Sequence, residues 1–487
     1  ELLFESLVEL GSDPGLVRYH PVLCKGRPRM IYLGRKFEIL PNVRWSNGKP
    51  LTSLDVSGTL RILNDSGWRG YNPIRTRELL KETIVHDRSQ LSLTLAQGFL
   101  DPLALMSFKI LPNGVPSPDS LSFAKKPIGS GPFMYAGVGS DEGRQYTKFV
   151  ANPYFGQRGI RKAQLGLPTI REIRFFVLQN PIEELQKRTV DLILDLSPGD
   201  LDRARTLQNV FVPDPLSSRR IHFLAINQRS PMLRNVELRR AIAAAIDREK
   251  LLDECYRSGH KDLHKPLNGP YPVDSWANNP KLKKQLHDIT AAKEFLRQAK
   301  EKHATIGNKS WQVKYDRDDA QAAKALALIS KQVKNVLGIE LDPTPMQLSD
   351  LLSDVRDTHS YDFAYMSHDY RDHTYMLLEL LDLKRTRKKE ANYFGHLDGK
   401  MEQDLREALS HRNFTKVREI THDIHHRFQQ TMPFVPLWQL DRLIAINRDL
   451  IISDGKNDVP YIRRGEPFPM DPLRIFATVE YWRLERK

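Results

Sequence analysis

Between Trp311 and Asp372, short runs of strand character alternate with stretches of helical periodicity, and this alternation constrains the fold more than any other feature of the chain. Trp311 to Tyr315 reads as a strand. Asp318 or Asp319 then opens an Ala/Leu-rich helix that Gly338 stops; Ile339 to Pro343 is a second strand, Leu348 to Val355 a helix, and Tyr361 to Met366 a third strand. The order β-α-β-α-β predicts parallel strands joined by helical crossovers, and open sheets of that kind bind ligands beyond the carboxyl ends of their strands. Ser367-His368-Asp369-Tyr370-Arg371-Asp372-His373 follows the third strand directly. Fold logic therefore nominates it as a ligand-facing loop.

The rest of the chain is also mixed. Lys36 to Leu40 and Gln90 to Leu95 alternate in strand fashion, Ser46-Asn47-Gly48-Lys49-Pro50 is a turn, and Ser53 or Asp55 is a candidate cap for a helix running toward Leu63. Breaks at Pro112-Asn113-Gly114, Pro116-Ser117-Pro118 and Gly129-Ser130-Gly131-Pro132 mark a candidate boundary. Ile170 to Leu178 followed by Ile182, Leu185, Val190 and Leu192 reads as a βα unit. Ile221 to Ile226 reads as a buried strand, and Asn235 is placed to cap one long helix through Leu238, Ile242, Ile246 and Leu251, ending near Gly259. With 487 residues, two to four domains are expected at roughly 100–200 residues each.

Several function classes are disfavoured. No apolar run approaches the roughly 18–20 residues of a membrane helix, and the N-terminus has no basic segment followed by a cleavage site, so no signal peptide is expected in this chain. The formal charge of +14 is a mild bias over a large surface. The run Lys384-Arg385-Thr386-Arg387-Lys388-Lys389 lacks aromatics to stack bases, so it reads as a solvated loop and nucleic acid is not an expected partner. Cys24 and Cys255 form neither a disulfide framework nor a metal knuckle, although one bridge between them stays open.

No cofactor is expected. Gly129-Ser130-Gly131-Pro132 fails as a nucleotide fingerprint because proline follows the second glycine, and there is no GK[ST], GxSxG or HExxH. It reads as a structural turn. His368, Asp369, Asp372 and His373 combine imidazole and carboxylate groups of the kind that hold Zn or Ni, but no metal site is expected there, and His422, His425 and His426 read as a polar helical face.

The order of motifs resembles the family 5 extracellular solute-binding proteins, the dipeptide-, oligopeptide- and nickel-binding components of ABC importers. Leu3-Phe4-Glu5-Ser6-Leu7-Val8 is similar to the family's "yEgLv", and Val43-Arg44-Trp45-Ser46-Asn47-Gly48-Lys49-Pro50-Leu51-Thr52 with Asp55-Val56 is similar to "vkFsDGtPltaeDV". Ile128-Gly129-Ser130-Gly131-Pro132-Phe133 resembles "vGTGPY", and Asn152-Pro153-Tyr154-Phe155 resembles "NPdYw". Val190-Asp191 fits "l.sGevDi". Leu238 to Arg248 is similar to "VRqAl.yAiDR", the most specific match, and Pro433 to Trp438 resembles "P.iPlyq".

The resemblance implies an α/β, two-lobed periplasmic-binding-protein fold of type II, the large peptide-binding class, with a discontinuous first domain. Its expected parts are domain I at 1–30, 131–228 and 440–487, inserted domain II at 31–130, and domain III at 229–439. It implies a non-catalytic protein, periplasmic or extracellular, with membrane-attached lipoprotein as a variant. Such a protein captures a small solute, in the first place an oligopeptide, in an interlobe cleft and delivers it to ABC permease subunits as a monomer. The alternatives are a receptor for nickel or a metal chelate, or a clamshell hydrolase or chaperone-like scaffold. Asp369 matches the aspartate that peptide-binding members pair with the ligand's α-ammonium group; Tyr365, His368, Tyr370, Asp372 and Glu5 are the further candidate ligand contacts. The loop departs from the family pattern by lacking its Gly-Trp pair, and Tyr365 stands near where oligopeptide binders have an arginine.

Overall fold

Close backbone approach explains why one of the glycine motifs exists. A Cβ on Gly129 would fall 1.8 Å from the Leu3 carbonyl oxygen. Without one, Gly131 N–H donates to Leu3 O (2.9 Å) and Phe133 N–H to Leu2 O (3.0 Å), while Asn152 closes the turn through its amide to Gly131 O (2.9 Å). Two motifs separate in sequence thus form one structural lock, the turn expected from the sequence.

The computed structural model describes residues 1–11, 19–63, 80–99, 101–115, 121–141, 143–157, 167–370, 374–387, 392–454, 458–459 and 474–485. The chain divides into two units, one of residues 1–216 and 443–487, the other of 217–442. In the first unit, Arg29–Ile31, Gly34–Glu38, Gln90–Leu95 and Leu80–Val85 form an antiparallel four-stranded sheet in that order. Phe133–Asp141, Arg144–Ala151 and Glu172–Phe176 form another; the last strand runs into helix Pro181–Gln186, as the βα reading expects, and pairs antiparallel with its neighbour. Ala445–Asn447 lies between Leu192–Ile193 and Val210–Phe211, so the returning C-terminal segment completes a sheet begun in the first pass. Its core gathers Leu2, Phe133, Ile446, Ile452, Val479 and Trp482.

Helix Ser53–Leu63 is capped otherwise than expected. The Asp55 carboxylate reaches back to the Thr52 N–H (2.6 Å), which makes Thr52 the cap and Asp55 the third helical residue.

The second unit is built on one six-stranded sheet. Its strands are β1 (Arg220–Ile226), β2 (Lys265–Pro266), β3 (Ser310–Asp316), β4 (Glu340–Met346), β5 (Phe363–Asp369) and β6 (Val435–Gln439), in the order β2-β6-β1-β5-β3-β4. Strand β3 pairs in parallel with both β4 and β5, as the crossover pattern predicts. Strand β5 meets β1 antiparallel, which makes the sheet mixed and sets Arg220 opposite Asp369. The strand also runs three residues further than Met366, so Asp369 is its last residue rather than part of a loop.

Helix α1 (Val236–Ala245) is capped by Asn235, whose side chain accepts from Leu238 N–H. The single long helix expected there is two: Ile246 turns extended and Asp247 caps α2 (Arg248–Cys255). Arg248 fastens the break by donating to Ala243 O (3.0 Å), Ile246 O (2.9 Å) and Pro436 O (2.7 Å). Burial lowers its pKa to about 9, with the neighbouring Asp247 carboxylate opposing it in part. Further along, α3 (Ile289–Lys302) precedes β3, and α4 (Ala320–Leu337) joins β3 to β4. Asp319 caps α4, and Gly338 stops it in the left-handed region at φ 69°. Helices α5 (Gly399–Ser410) and α6 (Phe414–Thr431) lie between β5 and β6 in sequence. Phe223, Phe363, Phe394, Phe428, Phe434 and Trp438 are fully buried in the core.

Candidate functional site

The strand-end location of Asp369 decides what it meets. Antiparallel pairing brings the Arg220 guanidinium alongside, and the contact is bidentate: Nε to Oδ1 at 2.6 Å and Nη2 to Oδ2 at 3.0 Å. Both side chains stay about one-third exposed, at 39% and 35%. The pair is therefore a solvent-reachable charge pair at the end of a sheet.

This end of the sheet is also where the chain enters and leaves the unit. Ser217 and Ser218 precede β1, and Gln439 closes β6. The Gln439 amide donates to Ser217 Oγ (2.9 Å) and Ser218 O (2.7 Å) and accepts from Val273 N–H (2.9 Å), tying the entering and leaving strands together. Arg219, buried, closes the same corner by donating from Nε to Tyr370 O (2.9 Å).

The other expected contacts are differently placed. Tyr365 is enclosed in the core, accepting from Trp438 Nε1 (3.1 Å) and bonded to His222 Nδ1 (2.9 Å). Burial pushes the pKa of its hydroxyl up. Burial, reinforced by Arg220, lowers the His222 pKa to about 3, so it is neutral at pH 7. Tyr370 is buried, its hydroxyl donating to Pro270 O (2.8 Å), and half-buried His368 stands edge-on to its ring at 4.7 Å. Glu5 belongs to the first unit and is buried, its carbonyl accepting from Ile110 N–H (2.9 Å). Asp372 lies outside the described residues, as do Arg371 and His373. The structure thus groups Asp369, His368 and Tyr370 at one corner and puts Tyr365 beneath it.

Arg220 is the partner that sequence reasoning missed. Two arginines directly preceding a buried strand were the available signal, but only the antiparallel pairing with β5 gives them a meaning. Among the described residues, no group of three or more His, Cys, Asp or Glu side chains is arranged to hold a metal ion. His422 and His425 are engaged locally, His422 with Trp276 O (3.0 Å) and His425 as acceptor from Asn279 N–H (3.0 Å). Cys24 and Cys255 are free thiols. Lys384 and Arg387 are exposed; Lys388 and Lys389 lie outside the described residues. No helix among the described residues is long and apolar enough to cross a membrane.

The mixed sheet and the discontinuous first unit define the fold of type II periplasmic binding proteins. The oligopeptide-binding protein AppA from Bacillus subtilis, solved in complex with a nonapeptide, superposes with a TM-score of 0.81 at 19% identity, over 100% of this chain and 93% of its own. NikZ from Campylobacter jejuni, solved with Ni(L-His), gives 0.74 at 18% identity over 92% and 89%. At such identities these likenesses concern the fold. The family model for bacterial extracellular solute-binding proteins, family 5 (middle region), matches residues 35–384. The chain belongs to that family.

Among curated relatives, the heme-binding protein A of Haemophilus influenzae is 24% identical over 174 residues, 36% of this chain and 29% of that protein. The oligopeptide-binding protein AppA of Bacillus subtilis is 21% identical over 473 residues, 92% and 80%. The chain spans 29% of the length of the first of these relatives and 48% of protein XP55 of Streptomyces lividans.

Proposed function

We propose that this protein is an extracytoplasmic receptor that captures an oligopeptide without converting it and hands it to an ABC permease. The observation that carries the reading is the Asp369 carboxylate, solvent-reachable and held at the sheet end where the chain enters and leaves the second unit. A carboxylate there suits an α-ammonium group, and a ligand beside the two chain crossings is placed to couple binding to hinge closure. The 92% coverage by a relative named as oligopeptide-binding supports a peptide as the first ligand to try.

In this reading the ligand lies in a cleft between lobes, with Asp369 and His368 on its wall and Asp372 nearby. Residues 31–130 are an inserted domain of the first lobe. Extended peptides are held by backbone hydrogen bonds together with charge pairing at their ends. Native mass spectrometry of protein purified without denaturation tests the reading: bound peptide masses are expected. A bound metal chelate, or turnover of a peptide library that tracks with the protein, overturns it.

A further inference from the structure

In the first unit, the hairpin of Arg29–Ile31 and Gly34–Glu38 stands at the edge of its four-stranded sheet and ends in a two-residue turn, Tyr32-Leu33, because Ile31 pairs directly with Gly34. Turns of that length favour Asn-Gly or Gly-containing pairs, which accept positive φ. Here the positive φ, 48°, falls on Leu33, a bulky residue for which that conformation is sterically unfavourable. Met30-Ile31-Tyr32-Leu33 is thus an unbroken apolar run at a protruding tip, with Met30 77% and Tyr32 89% exposed. Exposed side chains of this kind add little to folding stability, and a consecutive run of them marks an interaction site.

The base of the turn is fastened to the sheet. Leu95 N–H donates to Leu33 O (2.5 Å), and a Cβ on Gly34 would fall 2.2 Å from Leu93 O on the neighbouring strand. The unfavourable turn therefore cannot relax by moving away from its neighbour, and the apolar tip is presented on a built support.

Charge identifies what the tip meets. Residues 25–38 carry five cations, Lys25, Arg27, Arg29, Arg35 and Lys36, against one carboxylate, Glu38, which pairs with Lys25 at 3.0 Å. Arg27 and Arg29 are exposed, and neither makes an ion pair among the described residues. The next carboxylate along the sheet, Glu82, lies two strands away from Gly34, across Thr94, with exposed Lys81 beside it. An apolar tip inside a basic collar complements an anionic lipid surface, where apolar side chains enter the headgroup–acyl boundary and cations meet lipid phosphates. A stable protein interface takes roughly 20–30 residues a side, far more than this tip presents. Met, Ile and Leu have no ring on which nucleic-acid bases stack. Strand pairing with a second copy is opposed by the shortness of the edge strand, three residues, and by the cation on it.

We propose that this hairpin docks the protein on an anionic lipid bilayer, its four apolar tip residues entering the interface and its cations lying against the lipid phosphates. The proposal does not depend on the identity of the captured solute.

The test is flotation of the full chain with vesicles of phosphatidylcholine alone and of phosphatidylcholine with about 30% phosphatidylglycerol, at low and high salt. Binding to the anionic vesicles is expected, at least ~10-fold weaker on the neutral ones and weakened by salt. Arg27→Gln with Arg29→Gln should weaken it ~5-fold for each cation removed, and Met30→Ser with Tyr32→Ser by ~10-fold or more. All four side chains are exposed, so an unchanged melting temperature is expected. Lys300→Gln with Lys331→Gln makes the same change in net charge at exposed positions of the second unit and should leave binding unaltered. Tyr32→Trp should report entry into the interface by a blue-shifted emission that appears only with anionic vesicles. Absence of binding to anionic vesicles, equal binding to neutral ones, a tip variant that binds like wild type, or a control pair that weakens binding as much as the collar pair overturns the proposal.

Discussion

Replacing Asp369 by alanine should weaken a peptide with a free N-terminus and leave an N-acetylated peptide nearly unaffected. The Arg220–Asp369 pair is about one-third exposed on both sides, so its loss should cost only ~0–1 kcal/mol of stability despite the bidentate geometry. The effect on binding is larger. A hydrogen bond between charged groups is worth about 1.5–3 kcal/mol, or roughly 10–100-fold in affinity. Calorimetry with one tetrapeptide and its N-acetyl form, against wild type and Asp369→Ala, gives a four-member cycle whose coupling energy isolates the ammonium–carboxylate contact. At pH 6.5 the α-amino group is about 95% charged, which keeps titration a minor part of the comparison. Arg220→Gln adds a sign test: without the competing guanidinium, the free-ammonium peptide should bind somewhat tighter. If acetylation costs the same in wild type and Asp369→Ala, the carboxylate does not hold the ammonium and the placement of the ligand is wrong.

Acid should destabilise the second unit before most carboxylates protonate. Burial lowers the pKa of His222 and His396 to about 3 and of His264 and His425 to about 4, so each keeps its native neutral form while the unfolded chain takes up protons below about 6.5. Their contribution is intact above that pH and is lost as pH falls toward 4, at most on the order of 2 kcal/mol per histidine by pH 5; urea midpoints that stay flat from pH 7 to 5 contradict this. Two thiols per chain should titrate in denaturant and fewer in the native state, with Cys24 the slower, because it is buried with Sγ on Leu7 O (3.1 Å) and its pKa is raised; finding none in denaturant would establish a bridge. Gly338→Ala should cost about 1 kcal/mol in chemical denaturation, since alanine must take up the left-handed conformation that ends α4.

Local signals were readable where the physics is local. Asp319 and Gly338 bracket α4 because a side-chain acceptor and a left-handed residue act on the turn next to them, and Asn235 caps α1 for the same reason. The break between α1 and α2 was not readable. Leu238, Ile242, Ile246 and Leu251 keep helical spacing straight through it, and what fastens the kink is Arg248 reaching Pro436 O, 188 residues away. Asp369 was singled out because a crossover pattern and a family motif converge on it. Its partner was not, because the Arg220 contact spans 149 residues and depends on β5 pairing antiparallel on one side and parallel on the other. Tyr365 was nominated by its position near the family's arginine; where its hydroxyl goes was not legible, because its bonds to Trp438 and His222 join residues 73 and 143 positions away.

If the proposed function holds, the Arg220–Asp369 pair also bears on how ligand is released. A bare carboxylate would favour any ammonium strongly and leave an unbalanced charge whenever the site emptied. Arg220 supplies a cation that is always present, so under the proposed function ligand capture at Asp369 would exchange or share one cationic partner with another rather than create a pair from nothing. Only the difference between the two partners contributes to affinity. Gln439 ties Ser217 and Ser218, three and two residues before Arg220, to the end of β6, so that exchange would take place beside the segment through which the chain enters the unit. Under the same reading, a shift of Arg220 on binding would be felt first at Ser217 and Ser218, through which the chain enters the unit.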